Sequence, residues 1–547
     1  MTWTDEDLVN IGLQACPQRI PIPFGGPQDV ASVLDKALAA TPDAEALVGR
    51  HSRFTFRMLD HAINAAAAGM RTLDVNPGDR VPGSMGNHPE LVIAFLATQR
   101  LGAIWVGINT ALAPPEKAAL LSDSGASLLV ADRCVSEQIR ALPRSELRHI
   151  VTAEPGDESC GWALSMTRHR GSPRPVVRID PFAPAAIAYT SGTTGTPKGA
   201  VHSQHNLALV GHARHLQRPA SVGMIDGVSL PLSILNVMTL GPLTSFQYGG
   251  KSVCIDGNHA VAIADWVSRE KIDALLLVSP TMIDLLTNPA ISRQSLASLM
   301  KPGVGGSQVP DTFRTLYRET FGQEILFGYG LTEAPTAATQ TIAAEPYVPG
   351  SSGVCFDQVR VVIVDGADNE LPQGADGEVC IAPVTAGPWK GVYTPMLGYW
   401  NKPEATVETL RNGLLHTGDI GSVDAHGHLY IKDRAKDVII RGGANIYPAE
   451  IERVLLSDHR VAACAVLAKK DVRLGEIVVA AVQAAPGAAD PGRLREELTA
   501  LCLEQLAKYK LPAEWHFVRD MPRNAMRKIV KSKLAKMLFE EKSPPGQ

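Results

Sequence analysis

Between Ala188 and Asn206 the chain runs AYTSGTTGTPKGAVHSQHN. Every position from Thr190 to Gly199 other than Pro197 and Lys198 is glycine, serine or threonine. Such a run exposes backbone N–H groups and hydroxyls with little steric bulk. That suits a polyphosphate, and Lys198 adds positive charge. It is not a Walker loop, in which the lysine follows a glycine and precedes Ser or Thr; here Pro197 precedes Lys198 and Gly199 follows it. A flexible surface loop is the plain alternative. The strand-like AAIAY immediately before the run argues against it.

Alternating strands and helices must carry this loop. Asp29 to Ala40 has apolar residues near helical spacing. Pro77-Gly78-Asp79 is a turn before a short apolar stretch, Arg80 to Met85. His88 to Leu101 is expected as a helix ending at Gly102, followed by a buried strand, Ala103 to Ile108. Pro114-Pro115-Glu116 starts a helix, and Ser127 to Ala131 is the next strand. The middle repeats this grammar, with strands at Ala274 to Val278, Val359 to Val364, Glu378 to Ile381 and His428 to Ile431. Strands alternating with helices imply an α/β fold with mostly parallel, helix-covered sheets. Near Arg434 the texture changes. The expected division is a large N-terminal domain, 1–433, and a small mobile α+β C-terminal domain, 434–547. The small domain carries strands Ala463 to Leu467 and Ile477 to Val482 and a helix from Pro491.

The chain has 547 residues, of which 45% are hydrophobic and 20% charged, so a large core is available and wholesale disorder is excluded. A net charge of −4 gives no electrostatic footprint for nucleic acid. The acidic start MTWTDEDLVN is unlike a secretory signal. Gly227 to Gly250 is uncharged and long enough to span a bilayer. Its Pro231, Asn236, Pro242 and Gln247 favour a buried loop–helix and no transmembrane segment. The eight cysteines show no C-x-x-C pair and no zinc spacing. They are expected to be reduced, mostly buried thiols of a cytoplasmic protein.

The string Thr190-Ser191-Gly192-Thr193-Thr194-Gly195-Thr196-Pro197-Lys198-Gly199 resembles the phosphate loop of the adenylate-forming superfamily. That superfamily comprises acyl-CoA synthetases, adenylation domains and beetle luciferases, and the chain is most like the first. Further matching segments follow in the family's order: Phe327 to Glu333 (FGYGLTE), His416 to Asp419 (HTGD), Asp433 to Asp437 (DRAKD), Arg441 to Glu452 (RGGANIYPAEIE) and Pro522 to Lys528 (PRNAMRK). The resemblance implies ATP, Mg2+ and CoA as reactants and cofactors. It implies that Glu333 and Thr193 ligate Mg2+, that Thr332 contacts the α-phosphate and that Tyr329 faces adenine. Gly328 and Gly330 flank that tyrosine, and Gly306 and Ser307 belong to the adenine floor. The same resemblance implies that Asp419, which can accept from two ribose hydroxyls, and Arg434 hold the ribose. It implies that Lys436 is the hinge, that Gly442 and Gly443 line the CoA tunnel, and that Lys528 is the adenylation lysine. A cation between the attacking carboxylate and the α-phosphate stabilises both.

Four positions depart from the family's pattern. Arg527 stands where glycine commonly precedes the lysine. Gln204 stands where histidine is common. Ser233 and Ile234 replace an aromatic–histidine gate of the acyl pocket, whose wall includes Gly305. The expected activity is ATP-dependent activation of an apolar, bulky carboxylic acid to its adenylate, then thioester formation with CoA. The alternatives are transfer to a carrier protein or release of the adenylate. A luciferase-like oxygenase and a non-catalytic nucleotide sensor are further rivals.

Overall fold

The computed structural model describes the chain except residues 1, 2, 17, 143–146, 191–196, 218–222, 305–310, 327, 336, 343, 344, 435, 436, 442, 443, 472, 473, 488, 489, 525–527 and 540–547. Two sheets dominate the large domain. In the seven-stranded sheet, Ile104–Gly107, Arg80–Ser84, Leu128–Ala131, His149–Thr152 and Pro184–Thr190 run parallel. Lys198–Ser203 and Gly398–Tyr399 continue its edge in antiparallel fashion. In the six-stranded sheet, Lys301–Val304, Ala274–Leu277, Ile225–Val228, Lys251–Cys254 and Glu45–Val48 are parallel, and Arg53–Thr55 closes one edge. Strands such as Leu128–Ala131 are buried along their whole length, as expected of a sheet covered on both faces.

Helices Phe56–Thr72 and Pro89–Arg100 share one core with strands of both sheets, including Leu47, Val81, Trp105 and Ala186. Pro89 opens the second helix, where its missing N–H costs nothing, and the chain leaves it through Gly102 in the left-handed region. Edge-to-face ring pairs, Phe95 with Trp105 and Phe56 with Phe246, lie inside this core.

Two expectations need correction. The helix expected from Asp29 is only Asp35–Ala40. Side chains instead satisfy the preceding backbone: Asp29 accepts from Ser32 N, and Gln204 from Ala31 N. The strands expected at Val359, Glu378 and His428 do not continue the parallel pattern. They belong to an antiparallel sheet of Val359–Val364, Gly377–Pro383, Leu414–Val423, Leu410–Arg411 and Leu429–Arg434. Its links are turns. The Asp365 carboxylate, for example, accepts from Ala367 N and Asn369 N and reverses the chain without a helix.

The segment Gly227 to Gly250 folds as a loop, two short helices and a π-turn that contains Pro242. No helix among the described residues is long and apolar enough to cross a membrane. The small domain has its own sheet, Ala444–Ile446, Ile439–Arg441, Gly475–Ala484 and Val461–Asp471, with Glu514–Phe517 alongside. Helices Pro448–Leu456 and Pro491–Gln505 pack on it through Ile451, Val454, Leu494 and Leu498.

His202 and His205 are buried in the large domain, and burial pushes both imidazoles down to about 4 from an ordinary 6.5. As pH falls from about 6.5 to about 4, the unfolded chain takes up protons that the folded chain does not. Stability therefore falls in that window and is retained above it. Urea midpoints of the wild type should drop between pH 7 and pH 5, and by a smaller amount in a folded His205→Asn variant. An equal drop in both would assign the acid lability to other groups.

Candidate functional site

The glycine-rich run connects the antiparallel strands Pro184–Thr190 and Lys198–Ser203, whose end residues Thr190 and Lys198 pair directly. Ser191, Gly192, Thr193, Thr194 and Gly195 lie outside the described residues. At the strand end the Lys198 ammonium stands 5.1 Å from the ring centre of Tyr399. The Tyr399 hydroxyl donates to Glu333 Oε1 at 2.8 Å. Burial and the Glu333 carboxylate raise the Tyr399 phenol, so it stays a donor. Lys198, Tyr399 and Glu333 thus form one linked set, with one Glu333 oxygen held by the phenol. The half-buried Thr332 comes just before Glu333 on a turn, and the Glu333 carbonyl takes the Met396 N–H. Tyr399 was not anticipated from the sequence. Its only local signal is the aromatic pair Tyr399-Trp400 after a glycine.

A second set surrounds Asp419. This residue is 3% exposed on strand Leu414–Val423. Its Oδ2 accepts from the Tyr329 hydroxyl at 2.5 Å, and its Oδ1 lies 2.5 Å from Arg434 Nε. Asp419 and Arg434 are register partners on adjacent strands, so the ladder itself delivers the pair. Burial pushes the Asp419 carboxyl above the ordinary range, while Arg434, Tyr329 and Lys528 pull it back. Burial and Asp419 hold the Tyr329 phenol protonated. Gly418 has φ +69°, a left-handed turn that glycine adopts without strain and that aims the next residue inward. Gly328 and Gly330, exposed beside Tyr329, run along residues 338–340, where Ala338 N and Thr339 N donate to Tyr329 O.

The small domain is docked over this carboxylate. Asn524 and Lys528 close a turn through two hydrogen bonds: Asn524 N donates to Lys528 O, and Lys528 N to Asn524 Oδ1. Lys528 keeps surface open to solvent. Enclosure by the facing lobe and the nearby Arg434 push its ammonium below the ordinary lysine range, against the attraction of Asp419 and Asp437. The ammonium makes no ion pair among the described residues. Neighbouring Lys531 differs, because its ammonium is tied to Glu452 at 2.8 Å. Asp433 joins the domains. It accepts from Ala449 N at the start of helix Pro448–Leu456 and from Arg434 N. Lys436, Gly442 and Gly443 lie outside the described residues.

On the acyl side, Ser233 is buried and Ile234 half-buried against the main core. Gly107 is required here, since a Cβ on it would stand 1.9 Å from Ser233 O. Asn87 fixes the approach to this segment: it donates to Val228 O and Leu230 O and accepts from Leu232 N. Gly305, Gly306 and Ser307 lie outside the described residues. Gln204 is explained by structure. It accepts from Ala31 N and donates to Gln99 O, bridging three segments in the core.

The AMP-binding enzyme family model matches residues 34–400, and the AMP-binding enzyme C-terminal domain matches 450–528. The chain is 32% identical over 513 residues to the fatty acid–[acyl-carrier-protein] ligase ScoC of Streptomyces coeruleorubidus, covering 90% of this chain and 93% of that one. It is 32% identical over 498 residues to a feruloyl-CoA synthase of an Amycolatopsis species, covering 90% and 96%. ATP-bound MatB from Rhodopseudomonas palustris superimposes with a TM-score of 0.83 at 25% identity, over 93% of this chain and 98% of that one.

The two neighbouring lysines should separate in unfolding experiments. Lys531→Met strands Glu452 in a partly buried setting and should cost about 1–3 kcal/mol, much of it regained in Lys531→Met/Glu452→Gln. Lys528→Ala should stay within about 0.5 kcal/mol of wild type. Urea denaturation followed by circular dichroism measures both, and equal losses would place Lys528 in the structural framework.

Proposed function

The chain belongs to the AMP-binding enzyme family, and from that premise we propose that it activates a carboxylic acid with ATP and passes the acyl group to the thiol of CoA. The acid's carboxylate attacks the α-phosphate and pyrophosphate leaves, giving the acyl-adenylate. The CoA thiol then attacks the acyl carbon and AMP leaves. The observation that carries this reading is the convergence of Asp419, Tyr329, Arg434 and Lys528, which makes no ion pair among the described residues, at the meeting of the two domains.

In this reading Asp419 and Arg434 hold the ribose, and Tyr329 stands beside the base with Gly328 and Gly330. Gly306 and Ser307 complete the adenine floor. The loop Thr190 to Gly195 and Lys198 cradle the phosphates, and Thr332 contacts the α-phosphate. Lys528 sits where negative charge develops between the acid and the α-phosphate, and its lack of an ion pair suits that task. The Glu333 oxygen that the phenol does not hold, with the Thr193 hydroxyl, is the hard oxygen donor set that Mg2+ takes. When bound, Mg2+ neutralises phosphate charge. Ser233, Ile234 and Gly305 line the acyl pocket, and the replaced ring pair favours an apolar, bulky acid.

In this reading the domain boundary lies at 433/434, close to the end of strand Leu429–Arg434. The C-terminal domain turns about Lys436, withdrawing Lys528 and bringing Gly442 and Gly443 to the CoA path. The reading places the enzyme in the cytoplasm, where ATP and CoA are found, and the free cysteines suit that compartment. A second reading has its own support: the carrier-protein ligase and the feruloyl-CoA synthase are equally similar to this chain. The deciding experiment is an acid panel scored by ATP–pyrophosphate exchange, then by thioester formation with CoA and with a phosphopantetheinylated carrier protein. Exchange without any CoA thioester would overturn the CoA assignment and leave the adenylation reading intact.

Lys528→Ala should lower pyrophosphate exchange about 10²-fold or more while thioester formation from preformed acyl-adenylate survives. Exchange within about threefold of wild type would remove Lys528 from the chemistry. The pH profile carries a signed test. Activity falls as pH drops through the raised Asp419 pKa, and again as pH rises through the lowered Lys528 pKa. Arg434 lowers both pKa values, so Arg434→Gln should move both limbs of kcat/KM for ATP to higher pH. Limbs that stay in place would show that these groups do not set the profile.

A further inference from the structure

Three metal-ligating side chains meet on the antiparallel sheet, next to the nucleotide site and outside it. Cys380 and His416 are direct register partners across strands Gly377–Pro383 and Leu414–Val423. Glu378 is two residues before Cys380, and a register irregularity between them brings its carboxylate alongside the ring. His416 Nδ1 lies 2.9 Å from Glu378 Oε2 and 3.4 Å from Cys380 Sγ. One ligand atom from each of the three lies within 4.8 Å of the others. Cys380 is fully buried, the His416 side chain is 3% exposed and the Glu378 side chain 23% exposed, so a route from solvent passes Glu378.

The single proton of a neutral His416 ring is poorly placed without a cation. A carboxylate can only accept, so Nδ1–H must donate to Glu378. Nε2 is then a bare buried acceptor, and it has no hydrogen-bond partner among the described residues. The carboxylate of Asp368 stands 3.9 Å from it, useless to a lone pair. Moving the proton to Nε2 reverses both faults. Nδ1 turns its lone pair on the Glu378–Cys380 side, and Nε2–H faces Asp368. That carboxylate is fixed by two Arg411 hydrogen bonds of 2.9 and 3.0 Å. A ligating histidine backed by a carboxylate on its other nitrogen is the arrangement metal sites use.

We propose that Glu378, Cys380 and His416 bind a divalent cation of the Zn2+ type, and that its binding weakens the nucleotide site. Tetrahedral ligands at zinc bond lengths stand about 3.3–3.6 Å apart. The sulfur–nitrogen distance already fits, and the nitrogen–oxygen distance needs a small opening. Water takes the fourth position. The Cys380 thiol gives its proton to solvent as sulfur bonds the cation, and the His416 proton moves from Nδ1 to Nε2. Charges then cancel: Glu378, Asp368 and the thiolate against Arg411 and the divalent cation. Coupling to the nucleotide runs through Glu378, whose Oε1 accepts from Gly418 N at 3.1 Å, one residue before Asp419. A cation that draws on Glu378 loosens that turn. This part rests on the ribose role proposed for Asp419.

The test uses the full chain, stripped with chelator and titrated with Cd2+, whose thiolate complex absorbs in the ultraviolet. One equivalent should saturate the band, and Zn2+ should displace it. Cys380→Ser should abolish the band, and His416→Gln should weaken affinity at least about tenfold. One equivalent of Zn2+ should raise KM for ATP severalfold in wild type and leave Cys380→Ser unchanged. A missing band, or one that survives in Cys380→Ser, overturns the site. A band without a change in KM overturns the coupling alone. Should Cys380→Ser fail to fold by circular dichroism, His416→Gln decides, and unchanged affinity there refutes the proposal. Cadmium binding is read without turnover, so it is independent of the activity assigned to the chain.

Discussion

A carboxylate removed from water takes up a proton unless its surroundings keep it charged, and at Asp419 separate stretches of chain share that task. Arg434 comes from the next strand, Tyr329 from the loop before residue 330, and Lys528 from the small domain. Gly418 supplies the backbone turn that points the side chain inward. The docking of the small domain is thus an electrostatic event at Asp419 as well as a packing event. Lys528 loses some of its preference for charge as it enters, and Asp419 gains some.

The two halves of the site rest on different frameworks. The Lys198 side hangs from the rim of the seven-stranded sheet, where Lys198 meets Tyr399 across neighbouring antiparallel strands. The Asp419 side hangs from the antiparallel sheet. Glu333 and Tyr329, four residues apart, tie one framework to the other: the first reaches Tyr399 and the second Asp419. Gln204, an oddity in the sequence, serves the support of this arrangement. Its amide joins two backbone groups of distant segments, Ala31 N and Gln99 O.

The elements of the parallel sheets were legible in the sequence because strands buried on both faces are short, unbroken apolar runs, and Pro and Gly mark the helix ends. Pro89, Gly102, Pro114 and Pro448 all behave this way. The antiparallel sheet was misjudged in its pairing because strand residues look alike whichever neighbour they pair with. The turn at Asp365 carried the distinguishing signal. Motif residues could be recognised along the chain, but their partners could not. Nothing near Tyr399 points to Glu333, and nothing near Cys380 points to His416, because those contacts are made by register across distant strands. The helix expected from Asp29 failed for a similar reason, since a distant glutamine takes its backbone N–H.

The hydrogen bond from Ala449 N to Asp433 crosses between the domains. It acts as a latch. Asp433 belongs to strand Leu429–Arg434 and Ala449 to the small domain, so the domain rotation proposed above would break it. A charge-assisted bond of this kind contributes about 1.5–3 kcal/mol. That favours the docked pose by about 10- to 150-fold over one in which the bond is lost and nothing replaces it. In this pose Lys528 stands close enough to Asp419 and Arg434 to feel their charges. In the proposed two-step reaction, leaving that pose requires a compensating contact in the turned arrangement, so a carboxylate at the domain junction helps to set the timing of the second step.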